Sequence, residues 1–171
     1  MRTSLMLMLG SALLLPSPGE VAKPADTAHR TTKSASPVGG VETFYSDGDV
    51  VQIDRTGKGA VLCAWGILQA ARTVGLECHH NEDTAFQNEL KRSLRRIDRF
   101  IVKNSKHPVT VADLEARRSQ GLQELRFSGN ICVGDAEKLY EALRGRGVSA
   151  VQAETTDLLS IPREPVINPC L

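Results

Sequence analysis

The sequence predicts a mainly α-helical fold: a small disulfide-stapled bundle of about four helices, which admits a short N-terminal β-hairpin. Three observations predict it. Phe86, Leu90, Leu94, Ile97 and Ile101 recur at spacings of four, four, three and four residues, which places them on one helical face. Cys63, Cys78, Cys132 and Cys170 form an even set in a chain that opens like an exported one, the pattern of a disulfide framework. The 171 residues show no internal repeat and no second compositional region, so one globular domain is expected.

The first residues read as a removable export signal. Arg2 supplies a positive start, Leu5 to Leu15 is an apolar run too short to span a bilayer as a helix, and Pro16-Ser17-Pro18-Gly19 ends it. Ser17 and Gly19 suit cleavage after Gly19, giving a signal over residues 1–19 and a secreted or periplasmic mature chain with no transmembrane segment. Cleavage removes Arg2 and leaves 20 basic against 20 acidic residues, so net charge exerts no pull toward nucleic acid or membranes. Residues 20–40, rich in Ala, Thr, Ser, Pro and Lys without an apolar period, read as a disordered leader. Residues 41–171 then form the single helical domain with an extended C-terminal tail.

Within that domain, Val41 to Asp54 carries β-formers around Asp47-Gly48, a common two-residue turn. A small hairpin and a loop packed through Phe44 and Val51 both fit, since two strands alone are marginal in water. Ala60 to Val74 is helical and apolar on most sides, as suits the middle of a bundle. Gln69 and Arg72 are its only strongly polar residues, Trp65 is expected in the core beside Leu62 and Leu68, and Gly75 is expected to end the helix. The second helix runs from Asp83 to Asn104, capped by Asn81 or Asp83. Thr110-Val111-Ala112-Asp113 resembles a capping box with Asp in place of Glu. It opens a third helix with Val111, Leu114, Leu122 and Leu125 inward and Arg117 and Arg118 outside. Asp135 caps a fourth helix, with Leu139, Tyr140 and Leu143 inward and Gly145 and Gly147 at its end. Pro162, Pro165 and Pro169 make the tail after Val148 extended.

Helical geometry chooses among the three cysteine pairings. From Cys63 to Gly75 a helix rises roughly 18 Å, and three further residues return only about 10 Å, too little for Cα atoms that must approach within about 7 Å. Cys63–Cys78 is thereby disfavoured. In an up-down bundle, Cys78 and Cys132 arrive at one end, and the tail brings Cys170 to Cys63 at the other. The expected bonds are Cys78–Cys132 and Cys63–Cys170.

Two clusters carry candidate chemistry. Lys91, Arg92, Arg95, Arg96 and Arg99, continued by Lys103 and Lys106, set seven bases against one acid, Asp98, within sixteen residues. Such a strip suits docking of an acidic protein or another anionic envelope component, or is a solvated face partly paired with Glu89. Cys78-His79-His80 with Glu82 and Asp83 is the densest group of metal-ligating side chains, matching zinc or copper through His79 and His80, or is a polar loop at a helix start. No cofactor is implied. Gly57-Lys58-Gly59 is not a phosphate loop, because Gln52 stands where Gly belongs and Gly59 where Ser or Thr belongs. Asp47-Gly48-Asp49 lacks the glycine and terminal Glu of an EF-hand, and no Gly-x-Ser-x-Gly elbow occurs.

By elimination, the expected function is non-enzymatic: a binding protein of inhibitor or immunity type in the cell envelope, with the basic strip as its steering surface. The alternatives are a metal-binding protein centred on His79 and His80, and an enzyme whose residues assemble from distant positions. Nucleic acid is disfavoured as a partner: the net charge is near zero and no aromatic is interleaved with the bases.

Overall fold

The computed structural model describes residues 33–46, 49–80, 82–127 and 129–170. The expected signal, most of the expected leader, the Asp47-Gly48 turn and Asn81 lie outside the described residues. The element order is β1 (Lys33–Val38), β2 (Val41–Ser46), β3 (Asp49–Asp54), α1 (Val61–Cys78), α2 (Thr84–Asn104), α3 (Val111–Phe127), α4 (Asp135–Arg146) and α5 (Val148–Leu158). The protein is mainly helical, with five described helices where about four were expected.

The hairpin expected over Val41–Asp54 is present, with Ser46 opposite Asp49 and Val41 opposite Asp54. It belongs to a three-stranded antiparallel sheet, because β1 adds to the free edge of β2. β1 (Lys33–Val38) falls within the stretch read as a leader from the sequence. Gly39 and Gly40 both take positive φ (59° and 79°), as a tight two-residue turn between twisted strands requires. A third strand gives the hairpin the support that two strands lack in water.

α1 is the central helix. It packs on α2, α4 and α3, while α5 packs on α2 and α4 and so completes a four-helix ring. The core joins Val61, Leu68, Ala71 and Val74 of α1 to Phe86, Leu90, Leu94, Ile97 and Ile101 of α2, with Tyr140 and Leu143 of α4 and Val151 and Leu158 of α5. Gly75 does not end α1, which continues to Cys78. Its missing side chain admits neighbours instead: a Cβ there would meet Gln87 Nε2 at 1.6 Å and Tyr140 at 2.8 Å.

α3 lies outside the ring and buries only Leu114; Val111, expected inward, is exposed. Its start is the expected reciprocal cap: Thr110 N–H donates to Asp113 Oδ2 (2.8 Å) and Asp113 N–H to Thr110 Oγ1 (3.2 Å). Asp83, by contrast, makes no side-chain cap at α2; its carboxylate pairs with Arg144 at 2.5 Å. Gly134, not Asp135, stands at the cap position of α4. The segment after Val148 is not wholly extended, since α5 fills Val148–Leu158. Val151, Thr155 and Leu158 bury one face of it, Gly147 (φ 84°) breaks the chain away from α4, and no proline intervenes before Pro162. The extended tail begins only after that helix.

The tail ties the sheet to the bundle. Asp54 N–H donates to the Asn168 carbonyl (2.8 Å) and Leu62 N–H to the Val166 carbonyl (3.0 Å). The structure bonds Cys63 to Cys170 (Cα–Cα 5.2 Å) and Cys78 to Cys132 (5.4 Å). At the same junction Arg163 is buried. Its Nε pairs with Asp54, Nη1 donates to the carbonyls of Leu158 (2.9 Å) and Ile161 (2.8 Å), and Nη2 to that of Gly59 (2.7 Å). Burial would raise the Asp54 pKa, but hydrogen bonds from Thr56 and Arg163 hold it below the ordinary 3.8. Removing one partner of a buried, bonded pair strands the other's charge. Arg163→Ala is therefore expected to lower stability by about 3–5 kcal/mol, read as a fall in the denaturant midpoint at unchanged slope.

Candidate functional site

α2 sorts its charges by depth. Its only acids, Glu89 and Asp98, are buried at 3% and 5% exposure. The bases Lys91, Arg92, Arg95, Arg99 and Lys103 are exposed, and Arg96 is half-buried. Both acids are held by hydrogen bonds. Glu89 accepts from Arg92 Nη2 (2.7 Å) and from Ser93 Oγ (3.1 Å). Asp98, expected among the outer bases, turns inward, where Trp65 Nε1 donates to it at 2.9 Å and Arg118 caps it. Arg118, expected outside, is drawn across from α3 by that carboxylate, and its guanidinium lies 5.7 Å from the Trp65 ring centroid.

The predicted strip is thus divided. Arg92 is spent on Glu89, and Arg96 donates to Thr156 Oγ1 of α5 at 3.0 Å. Lys106 pairs with Glu164 of the tail at 2.5 Å. Lys91, Arg95, Arg99 and Lys103 make no ion pair among the described residues. Their spacing of four residues aligns them along about 18 Å of the outer helix face. Beside Arg99 and Lys103 opens a shallow depression of about 330 Å³ floored by Phe100, Leu159 and Pro162.

The histidine cluster is rearranged. His80 is exposed and makes no bond among the described residues. His79, just past α1, reaches α4: Nε2 lies 2.8 Å from Glu137 Oε1 and 3.9 Å from Glu141 Oε1, and Nδ1 lies 3.2 Å from Glu82 Oε2. Its ring stacks on Tyr140 at 4.6 Å. His79, Glu137 and Glu141 each offer a ligand atom within 4.8 Å of the others, a set able to hold a divalent cation. Adjacency in sequence joined His79 to His80; the fold joins His79 to two carboxylates one helical turn apart on α4, which no local pattern signals.

A third feature was absent from the sequence reading. A cleft of about 730 Å³ between α1, α4 and α5 is walled by Ala64, Ile67, Leu139, Leu143, Val151 and Leu158. Its charged rim residues pair off, Lys58 with Asp157 at 2.6 Å and Arg146 with Glu154. No described helix is long and apolar enough to cross a membrane.

No family model matches the chain, and no curated protein or solved structure matches it. Fold and site together define a mainly helical, twice disulfide-bonded domain in which four exposed bases of α2 make no ion pair among the described residues.

Burial opposes protonation of His79, but its bonds to Glu137 and Glu82 outweigh this and raise its pKa above the ordinary 6.5. A raised folded-state pKa stabilises the fold fully below the unfolded value, and the gain is lost as pH rises through the folded one. Tm is therefore expected to fall as pH rises past the ordinary histidine value of 6.5. His79→Gln should flatten that part of the profile, as measured by thermal unfolding at fixed ionic strength; an unchanged slope would show that His79 is not its source.

Proposed function

We propose that this chain is an exported, non-enzymatic binding protein of inhibitor or immunity type that docks an acidic protein of the cell envelope through the outer face of α2. The observation that carries this reading is the line of Lys91, Arg95, Arg99 and Lys103, four exposed bases with no ion pair among the described residues. The other bases of α2 have partners inside the fold; these four keep theirs for outside. A line of like charge steers an oppositely charged surface into register, and the apolar depression beside Arg99 offers a patch that such a partner can desolvate. Two disulfides suit an oxidising compartment, in keeping with the export signal read at residues 1–19.

Crosslinking of the purified protein in its native envelope fraction, with mass spectrometry of the adducts, tests this. One dominant partner is expected, lost in the Lys91→Glu, Arg99→Glu, Lys103→Glu triple variant and weakened as salt rises. These three side chains make no ion pair among the described residues, so the variant is expected to keep its fold. The same adducts in both proteins would reduce the strip to a solvated face.

A second reading is supported by the His79, Glu137 and Glu141 set. Under it the chain binds a divalent cation such as zinc, with His79 Nε2 exchanging its proton for the metal. Calorimetric titration of zinc into the purified protein is expected to show one site, abolished by Glu137→Gln and untouched by His80→Ala. A dependence on His80 would contradict it.

A further inference from the structure

The cleft between α1, α4 and α5 takes no residue from α2, so it is separate from the basic strip. It follows from how the ring is connected. α1 and α5 each pack on α2 and α4, but not closely on one another. Where α1 faces α5 across the ring it carries Ala60 and Ala64, four apart and so on one helical face, with Gly59 just before them. Side chains this small do not reach α5, and the cleft of about 730 Å³ that results is of the size that encloses a small molecule.

The walls select a hydrocarbon. Ile67, Leu139, Leu143, Val151 and Leu158 are aliphatic, and the lining includes no aromatic ring. A flat ring finds no partner to stack on there, whereas a flexible chain follows aliphatic walls. The polar groups of the inner wall are already engaged. Thr155 Oγ1 lies 3.0 Å from Ser93 Oγ and 2.8 Å from the Val151 carbonyl, and Cys63 is bonded to Cys170. The inner wall therefore asks no hydrogen bond of a ligand. On α1 the lining runs from Ala60 to Leu68, which is about 12 Å of helix. An extended chain advances about 3.5 Å per three bonds, so roughly ten carbons match that length.

The rim selects the head group. Lys58 pairs with Asp157 at 2.6 Å and Arg146 with Glu154, so two cations and two carboxylates stand around the opening. Asp157 and Glu154 are exposed, and ion pairs in contact with water are weak enough to be exchanged. A ligand ending in a bare carboxylate would meet these two acids as well as the bases. A head that carries both signs can answer each of them.

We infer that this cleft binds the acyl chain of a single-chain zwitterionic lipid, with the hydrocarbon between α1, α4 and α5 and a phosphate-and-ammonium head among Lys58, Arg146, Glu154 and Asp157. The phosphate takes the bases and the ammonium the acids. The site does not rest on the docking reading above, and either stands without the other.

Equilibrium dialysis of decanoyl lysophosphatidylcholine, below the concentration at which it forms micelles, against the purified protein with its disulfides intact tests this. One saturable site is expected. Removing two methylenes from the chain should weaken binding about fifteenfold. Lengthening it to tetradecanoyl should add little, because the cleft is bounded; a gain that continues with every methylene would show partition onto the surface and overturn the cleft. Ala64→Phe in the wall and Ala153→Trp at an exposed position on the lip should each weaken binding about tenfold or more. Ala153→Trp is expected to keep its circular dichroism, as exposed substitutions do, so its loss of binding reports obstruction and not unfolding. Unchanged binding in both variants, or no saturable binding to the unaltered protein, would overturn the site. Decanoate that binds as tightly as the lysolipid would overturn recognition of a zwitterionic head. Loss of the crosslinked envelope partner in Ala153→Trp, with no lysolipid bound by the unaltered protein, would assign the cleft to an apolar segment of that partner instead.

Discussion

One buried guanidinium determines how the parts of this molecule meet. Arg163 sits on the tail, yet its bonds go to the end of β3 through Asp54, to the loop before α1 through Gly59, and to the end of α5 through Leu158. Its plane also lies 5.8 Å from the ring of Phe100 on α2. A charge with no exposed side-chain surface is tolerable only when its donors are used, and here every carbonyl it reaches is one that a turn or helix end would otherwise leave unpaired. Sheet, central helix and last helix are thereby referred to a single point. An apolar side chain in that place would fill the volume and leave those carbonyls without donors.

The disulfides complete this arrangement from the other side. Cys63–Cys170 lies one turn into α1 and holds the tail that carries Arg163, while Cys78–Cys132 closes the far end of α1 onto the approach to α4. Both ends of the central helix are therefore fixed by covalent bonds, and the ring of α1, α2, α5 and α4 needs little from α3. That helix buries only Leu114 and leaves Phe127 almost wholly exposed. Its attachment runs through polar contacts, Arg118 with Asp98 and Arg126 with Glu77.

What was legible in the sequence follows from the range of each interaction. Periodic burial is local, so Phe86 through Ile101 marked the inner face of α2 without error. The Thr110–Asp113 cap is four residues long and was read directly. The cysteine argument worked because a helix is stiff, and the extension of α1 to Cys78 only strengthens it. β1 was not legible: Lys33-Ser-Ala-Ser-Pro-Val has a leader's composition, and its strand exists only through pairing with β2, with the register slip between Ala35 and Val38 next to Pro37. Nor were the interior charges. Asp54 and Arg163 are 109 residues apart, and nothing near Asp98 announces that Arg118 will cover it. The basic strip stood out as a cluster, but which of its members are free depended on partners from α5 and the tail. Gln69 and Arg72 stood out too, as the polar exceptions of an apolar helix; their shared face on α1 was visible only once Trp65 had a neighbour.

The same depth sorting explains how a nearly neutral chain presents a charged surface. α2 carries two acids and six bases, and folding takes both acids inside. Glu89 goes inward because Ser93 and Thr155 continue its hydrogen bonds across to α5, with Thr155 Oγ1 3.0 Å from Ser93 Oγ. Asp98 goes inward because Trp65 and Arg118 receive it. Each buried carboxylate then claims one arginine and leaves the others uncompensated at distances where water screens but does not cancel them. The bases left outside are held on a helix whose opposite face is the core itself, so the helix cannot turn them inward without unpacking Leu90, Leu94 and Ile97. Segregation of charge is in this way a consequence of core packing.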